Sequence, residues 1–280
     1  MGTSFPSFWM AGFECATQVQ LHRGRLDLTA ELQHDQYADS DYAMLVPHGL
    51  RTVRDGIRWY LVEPRPGRFD FRTVDPLRQA AERHGLTVIW DICHYGWPEE
   101  VDPLRSDFGD RLARLARAFA CYLADHSAAP PAYIPIVEMS FLSQAIGRWG
   151  IFAPFAHGRG YEAKRCLVRA AIAAVEAVRE VDPRARIIHA EPLVHFVAPP
   201  GRPELLQSAL AKNRGQFEIL DMLAGELEPQ LGGHPRYLDI LGFNYYPYNQ
   251  QDVTELSLLP SEPRWVDLAD LLADAYAHYR

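Results

Sequence analysis

The stretch Tyr133–Ser143, YIPIVEMSFLS, decides how the rest of the chain is read. It follows Pro130 and Pro131, and its apolar residues run continuously instead of alternating. That pattern suits a strand covered on both faces, as in a parallel sheet. One carboxylate, Glu138, stands near its end. A buried acid costs free energy unless it is paired or kept neutral. Either Glu138 pairs with a cation such as Arg54 or Arg148, or it is there to react.

Working outward, five more runs share the pattern: FWMAGFECA from Phe8, TVRDGIRW from Thr52, LTVIWDICHYG from Leu86, RIIHAEP from Arg186 and YLDILGFNYYP from Tyr237. Between them apolar residues recur at helical spacing, as in Phe108, Leu112, Leu115, Phe119 and Tyr122, then Leu167, Ala171, Ala174 and Val178. A last amphipathic set is Trp265, Leu268, Leu272, Tyr276 and Tyr279. Gly85 and Pro183 mark helix ends. Strand and helix in strict alternation predict an α/β fold with a parallel sheet. No GxGxxG turn follows the first strand and no P-loop occurs, which argues against a nucleotide-binding sheet.

A (β/α)8 TIM-type barrel accounts for the placement of the polar residues. Glu14, Arg54, Asp55, Asp91, His94, Glu138, Glu191 and Asn244 all fall late in their strands or just beyond. In a barrel those ends share one mouth, where active sites are built. Six units consume all 280 positions, so the expectation is one domain over 1–280 that is a barrel lacking its last two units, incomplete or completed by another chain.

Composition bounds the function. Net charge is −8 and pI about 5.8, so a nucleic-acid partner is not expected, because phosphate contacts need a basic surface. The N-terminus has no basic region before an apolar core, and no run is long enough to span a bilayer, so neither a signal peptide nor a membrane partner is expected and the expected location is the cytoplasm. Cys15, Cys93, Cys121 and Cys166 are far apart without metal-type CxxC spacing, which fits reduced thiols. No HxH or HExxH pattern supports a metal at His94, and Asp91 and His94 would face opposite sides of a regular strand. Neither a metal nor a cofactor is expected.

These residues together resemble the family 1 glycoside hydrolases, the β-glucosidase-like barrel enzymes. FWMAGFECATQ is similar to the family's first-strand motif and places Gln18 where a glutamine grips sugar hydroxyls; VRDGIRW matches Arg54 and Trp59; HYGWP puts His94 in the place of a sugar-contacting histidine. PIVEM looks like the family's T-F-N-E-P and puts Glu138 at the acid/base, while GFNYY makes Asn244 and Tyr246 site candidates. Val137 stands where the family has the asparagine that binds the sugar 2-hydroxyl, Met139 replaces its proline, and Asp55 replaces an aromatic. The family's nucleophile, a glutamate on strand seven, has no counterpart, which the resemblance places beyond Arg280.

The resemblance implies a β-glycoside as substrate, cleaved with two carboxylic groups roughly 5 to 5.5 Å apart. Glu138 would be the protonated one, its pKa raised by apolar Ile136, Val137 and Met139. Glu191 is a further candidate, either contacting substrate hydroxyls or serving with Glu138 in inversion or lyase chemistry. Trp97 and Trp149 are candidate aromatic platforms for a sugar ring, with Phe152 and Phe155 on the segment after strand four, read as a long loop over the mouth. A non-catalytic sugar-binding or scaffold role stays open beside the enzyme.

Overall fold

The computed structural model describes residues 5–279. Six strands, β1 (Ala11–Gly12), β2 (Thr52–Gly56), β3 (Thr87–Asp91), β4 (Ala132–Ile134), β5 (Arg186–Pro192) and β6 (Ile240–Asn244), pair in sequential order in one parallel sheet. Each of the six runs in the sequence supplies one strand. Helices α1 (His34–Leu45), α2 (Asp75–His84), α3 (Phe108–Ala124), α4 (Gly160–Val181), α5 (Leu206–Gly215) and α6 (Glu218–Ala224) fall between successive strands, and α7 (Leu268–His278) follows β6. This is the β/α order of a TIM-type barrel. Among the described residues the sheet runs from β1 to β6 without pairing them, so it stays open between these two edges.

Burial explains why the elements form where they do. On α3 the residues Phe108, Leu112, Leu115, Ala116, Phe119, Ala120 and Leu123 are buried, one stripe at three- and four-residue spacing. α4 turns an alanine-rich face inward, with Ala163, Ala170, Ala171 and Ala174 completely buried. α2 ends on Gly85 in the left-handed conformation, where the two N–H groups of a closing turn find carbonyls. β2, β3 and β4 are buried almost throughout, as strands covered on both faces must be.

Three expectations are corrected. β1 is only Ala11–Gly12, and Phe8 and Trp9 lie outside it, 82% and 75% exposed, because no strand flanks them on the open side. α7 buries Leu271 and Ala275, whereas Leu268, Leu272 and Tyr276 face outward. The larger residues there are not the packed ones, since the helix has only Leu193 and half-buried Phe217, Phe243, Tyr245 and Val266 to pack on. Finally, the segment after β4 is not simply a loop: Met139–Ser143 is helical and continues through a π-turn over Gln144–Arg148.

Candidate active site

The strand ends place their polar residues together, as the β/α order requires. A cavity of about 310 Å³ at this end is lined by Glu14, Gln18, Arg54, His94, Glu138, Asn244 and Tyr246, with Tyr95, Phe141, Phe152 and Tyr248 among the aromatic walls. The two sheet edges, β1 through Glu14 and β6 through Asn244, therefore both contribute to one pocket.

Glu138 stands at the turn where the chain leaves β4. Its backbone is left-handed at φ 44, and its N–H donates to Ala190 O of the neighbouring β5 at 2.9 Å. Neither cation offered by the sequence pairs with it. The Tyr95 hydroxyl donates to Glu138 Oε2, and Asn244 Nδ2 donates to Oε1 at 2.8 Å. Ile136, Val137 and Met139 are buried in the core, and none of them lines the cavity that Glu138 faces. Burial of the Tyr95 phenol, and then the Glu138 charge beside it, push the phenol's pKa well above its ordinary value.

Arg54 is turned toward Asp91, which it grips with Nε at 3.0 Å to both oxygens and Nη2 at 2.8 Å. Burial lifts the Asp91 carboxyl, but Arg54 and His94 outweigh it and hold the group below the usual range. β3 ends at Asp91, so strand alternation stops there and the following turn brings His94 Nδ1 to 3.3 Å from Asp91 Oδ2, against the sequence expectation that the two face apart. Cys15 Sγ lies 3.2 Å from the same nitrogen and 3.5 Å from Asp91 Oδ2. These three donors are spaced like metal ligands. However, the Asp91 oxygens already accept from a guanidinium, which supplies the positive charge a cation would bring, and burial followed by Asp91 raises the Cys15 thiol well above its ordinary pKa. The cluster therefore works as a protonated hydrogen-bond network. It fixes Arg54 and His94 at the cavity wall, with Gly56 leaving room for the thiol: a Cβ there would sit 2.5 Å from Cys15 Sγ.

Gln18 is 6% exposed and its Oε1 has no partner among the described residues. A buried acceptor left unpaired is costly, and here it lines the cavity.

Against known proteins, no family model matches and no curated protein matches. Solved structures do match. A family 1 β-glucosidase from Thermotoga maritima superposes with TM-score 0.67 at 17% identity, over 88% of this chain and 64% of that one. The same enzyme in complex with glucoimidazole gives 0.62 at 19%, over 76% and 54%. The AHE enzyme from Alicyclobacillus herbarius gives 0.64 at 18%, over 76% and 54%. This chain shares their barrel fold. It spans between 54% and 64% of the length of these structures.

Of the residues singled out from sequence, Gln18, Arg54, His94, Glu138, Asn244 and Tyr246 meet at the cavity. Glu191 is set behind it, 1% exposed, where its two oxygens accept the backbone N–H groups of Met139 (2.7 Å) and Ser140 (2.9 Å). It anchors the turn that carries Glu138 and does not line the cavity. Burial raises its pKa to about 7, with hydrogen bonding by Ser140 and Met139 opposing and Glu138 adding to the rise. Trp97 is 5% exposed, packed edge-on against Phe108, and Trp149 sits outside the cavity against Phe141, so neither is a platform facing it. Phe152 lines the cavity and Phe155 does not. Asp55 binds His34 and Tyr42, and Arg58 binds Asp27 and Asp35, both outside the site. Tyr95 and Tyr248 also line the cavity, and the sequence motifs do not point to either. Tyr95 follows His94 directly, but nothing in residue spacing shows that its backbone turns left-handed, φ 62, and swings the ring onto Glu138.

Proposed function

We propose that the cavity binds a β-glycoside and that Glu138 delivers a proton to the glycosidic oxygen. What supports the reading is the arrangement at the strand ends: a carboxylate flanked by neutral donors, an orphaned acceptor at Gln18, and a histidine and an arginine held in place by Asp91. Sugars present alternating hydroxyl donors and acceptors, and rigid polar groups inside a partly aromatic cavity suit them. The solved β-glucosidase in complex with glucoimidazole belongs to a protein of this fold, and the sequence motifs quoted above point the same way.

In the proposed step the Glu138 proton passes to the glycosidic oxygen as the bond from that oxygen to the anomeric carbon breaks. The aglycone leaves as an alcohol, and the anomeric carbon is taken by a second carboxylate or by water. Glu138→Gln tests the assignment. Turnover of an alkyl β-glucoside, whose leaving group needs the proton, is expected to fall about 10²- to 10⁴-fold, and that of an aryl glucoside with a good leaving group far less. Unchanged turnover of the alkyl substrate would remove Glu138 from the reaction.

A sugar-binding role without turnover is the second reading. It is favoured by Glu14, the other acid at the cavity, being tied to the backbone N–H groups of Cys15 and Ala16. Saturable binding of a β-glucoside with no release of product would select it.

A further inference from the structure

We propose that Tyr95 is a positioning residue for Glu138, fixing the plane of its carboxyl so that Oε1 presents the proton; this rests on the reading of Glu138 as the acid. The phenol hydroxyl donates to Oε2, which commits that oxygen as an acceptor. The proton is then carried on Oε1, whose oxygen still accepts from Asn244 Nδ2. Once the proton has passed to the glycosidic oxygen and the aglycone has left with the electrons of the broken bond, Glu138 is a carboxylate with a donor on each oxygen. The negative charge appears where the two donors already point, so no group has to reorganise during the step.

The backbone around this contact carries the argument further. Tyr95 and Glu138 are both left-handed, at φ 62 and φ 44, a conformation that costs free energy for any residue with a Cβ and persists where the surroundings enforce it. The surroundings do enforce it at Tyr95. A Cβ on the next residue, Gly96, would lie 2.4 Å from Thr17 O, so the turn is pressed against the chain that follows β1. The Tyr95 ring is held between His94 (centroids 4.6 Å apart, edge-on), Phe141 (5.4 Å) and Phe152 (6.0 Å). An ordinary core tyrosine satisfies its hydroxyl wherever a partner is at hand. This one is aimed, through strained backbone on both sides, at the acid in the cavity.

Tyr95→Phe keeps the ring and removes the donor. Hydrolysis of an alkyl β-glucoside by the full chain is expected to fall at least about tenfold and that of a dinitrophenyl β-glucoside less than about threefold, because only the first depends on a well-placed proton. Equal losses on both substrates, or none on either, would overturn the proposal. A titration independent of turnover checks the contact itself. Glu138→Gln removes a negative charge from beside the phenol, so the pH at which Tyr95 ionises, followed by ultraviolet difference absorbance with Tyr95→Phe marking the signal, is expected to drop. An unmoved midpoint would contradict the pairing. A wild-type chain inert toward both glucosides would overturn the acid reading and this proposal with it, even where the phenol titration still reports the contact.

Discussion

Gln18 carries the sharpest consequence among single residues. Its Oε1 is buried without a partner among the described residues, so the folded protein gains nothing from that atom until a ligand donates to it. Gln18→Met is therefore expected to leave the melting temperature unchanged or raised while weakening β-glucoside affinity by roughly 5- to 30-fold, the equivalent of about 1–2 kcal/mol. Calorimetric melting and isothermal titration on the same variant check both halves; a loss of stability with affinity intact would contradict the assignment. Sequence made this residue visible through a motif, and the same holds for Glu138 and Asn244. What it could not show is which donor meets which acceptor. Glu138 was open to an ion pair with Arg54 or Arg148; in the fold Arg54 is spent on Asp91, and Tyr95 takes the place a cation would have had. That outcome depends on one left-handed turn after His94, and no residue pattern encodes it.

At the level of elements, β5 holds two buried titratable groups, His189 and Glu191, whose pH dependences oppose each other. Burial lowers the His189 pKa from 6.5 to about 4, and its Nδ1 has no partner among the described residues. Between these values the unfolded chain binds the proton and the folded one does not, so this group removes about 3 kcal/mol of stability as pH falls from about 6.5 to about 4. Glu191 runs the other way. Its folded pKa of about 7 lies above the ordinary 4.5, so the folded state holds the proton more tightly and a similar amount, about 3 kcal/mol, is lost as pH rises from about 4.5 to about 7. The contributions nearly cancel between pH 4.5 and 6.5. Urea unfolding of His189→Gln is expected to show stability falling with rising pH across that window, and Glu191→Gln stability falling with decreasing pH. Matching slopes in wild type and both variants would rule this out. Elements were the most legible level of the sequence, because continuous apolar runs between amphipathic stretches leave few alternatives to a parallel sheet. Two of the exceptions, β1 and α7, sit at the edges of the sheet, where hydrophobicity no longer tells which face is covered; the third, the helical turn Met139–Ser143, lies in mid-sheet, where its apolar run reads as a continuation of the strand.

At the largest scale, the open sheet brings Glu14 after β1 and Asn244 on β6 to one cavity while leaving its two edge strands without a second neighbour among the described residues. An unpaired edge beside exposed aromatics favours self-association. Trp9, 75% exposed, is the largest such group next to β1. Trp9→Lys is expected to reduce concentration-dependent association in size-exclusion chromatography with light scattering and to leave the melting temperature within about 1 °C, since exposed positions away from packing change stability by about 0.5 kcal/mol or less. Association unaffected by the substitution would place the contact elsewhere. The sequence revealed the number of units and the shared mouth of the strands; it could not reveal the cavity walls, which come from turns after the strands.

The central claim is that this cavity, and no other, receives the sugar. A second cavity of about 210 Å³ opens between α2 and α3, lined by Leu86, Val88, Trp90 and Leu123 and holding none of the strand-end polar groups. A third, of about 510 Å³, is lined by Leu193, His195, Asn213, Phe217 and Leu271, and likewise holds none of those groups. Titration of the isotope-labelled chain with phenyl β-glucoside, followed by heteronuclear NMR, separates the three. The account requires saturable shifts at Gln18, His94, Tyr95, Glu138 and Asn244; shifts confined to either of the other two cavities, or none at all, would contradict it.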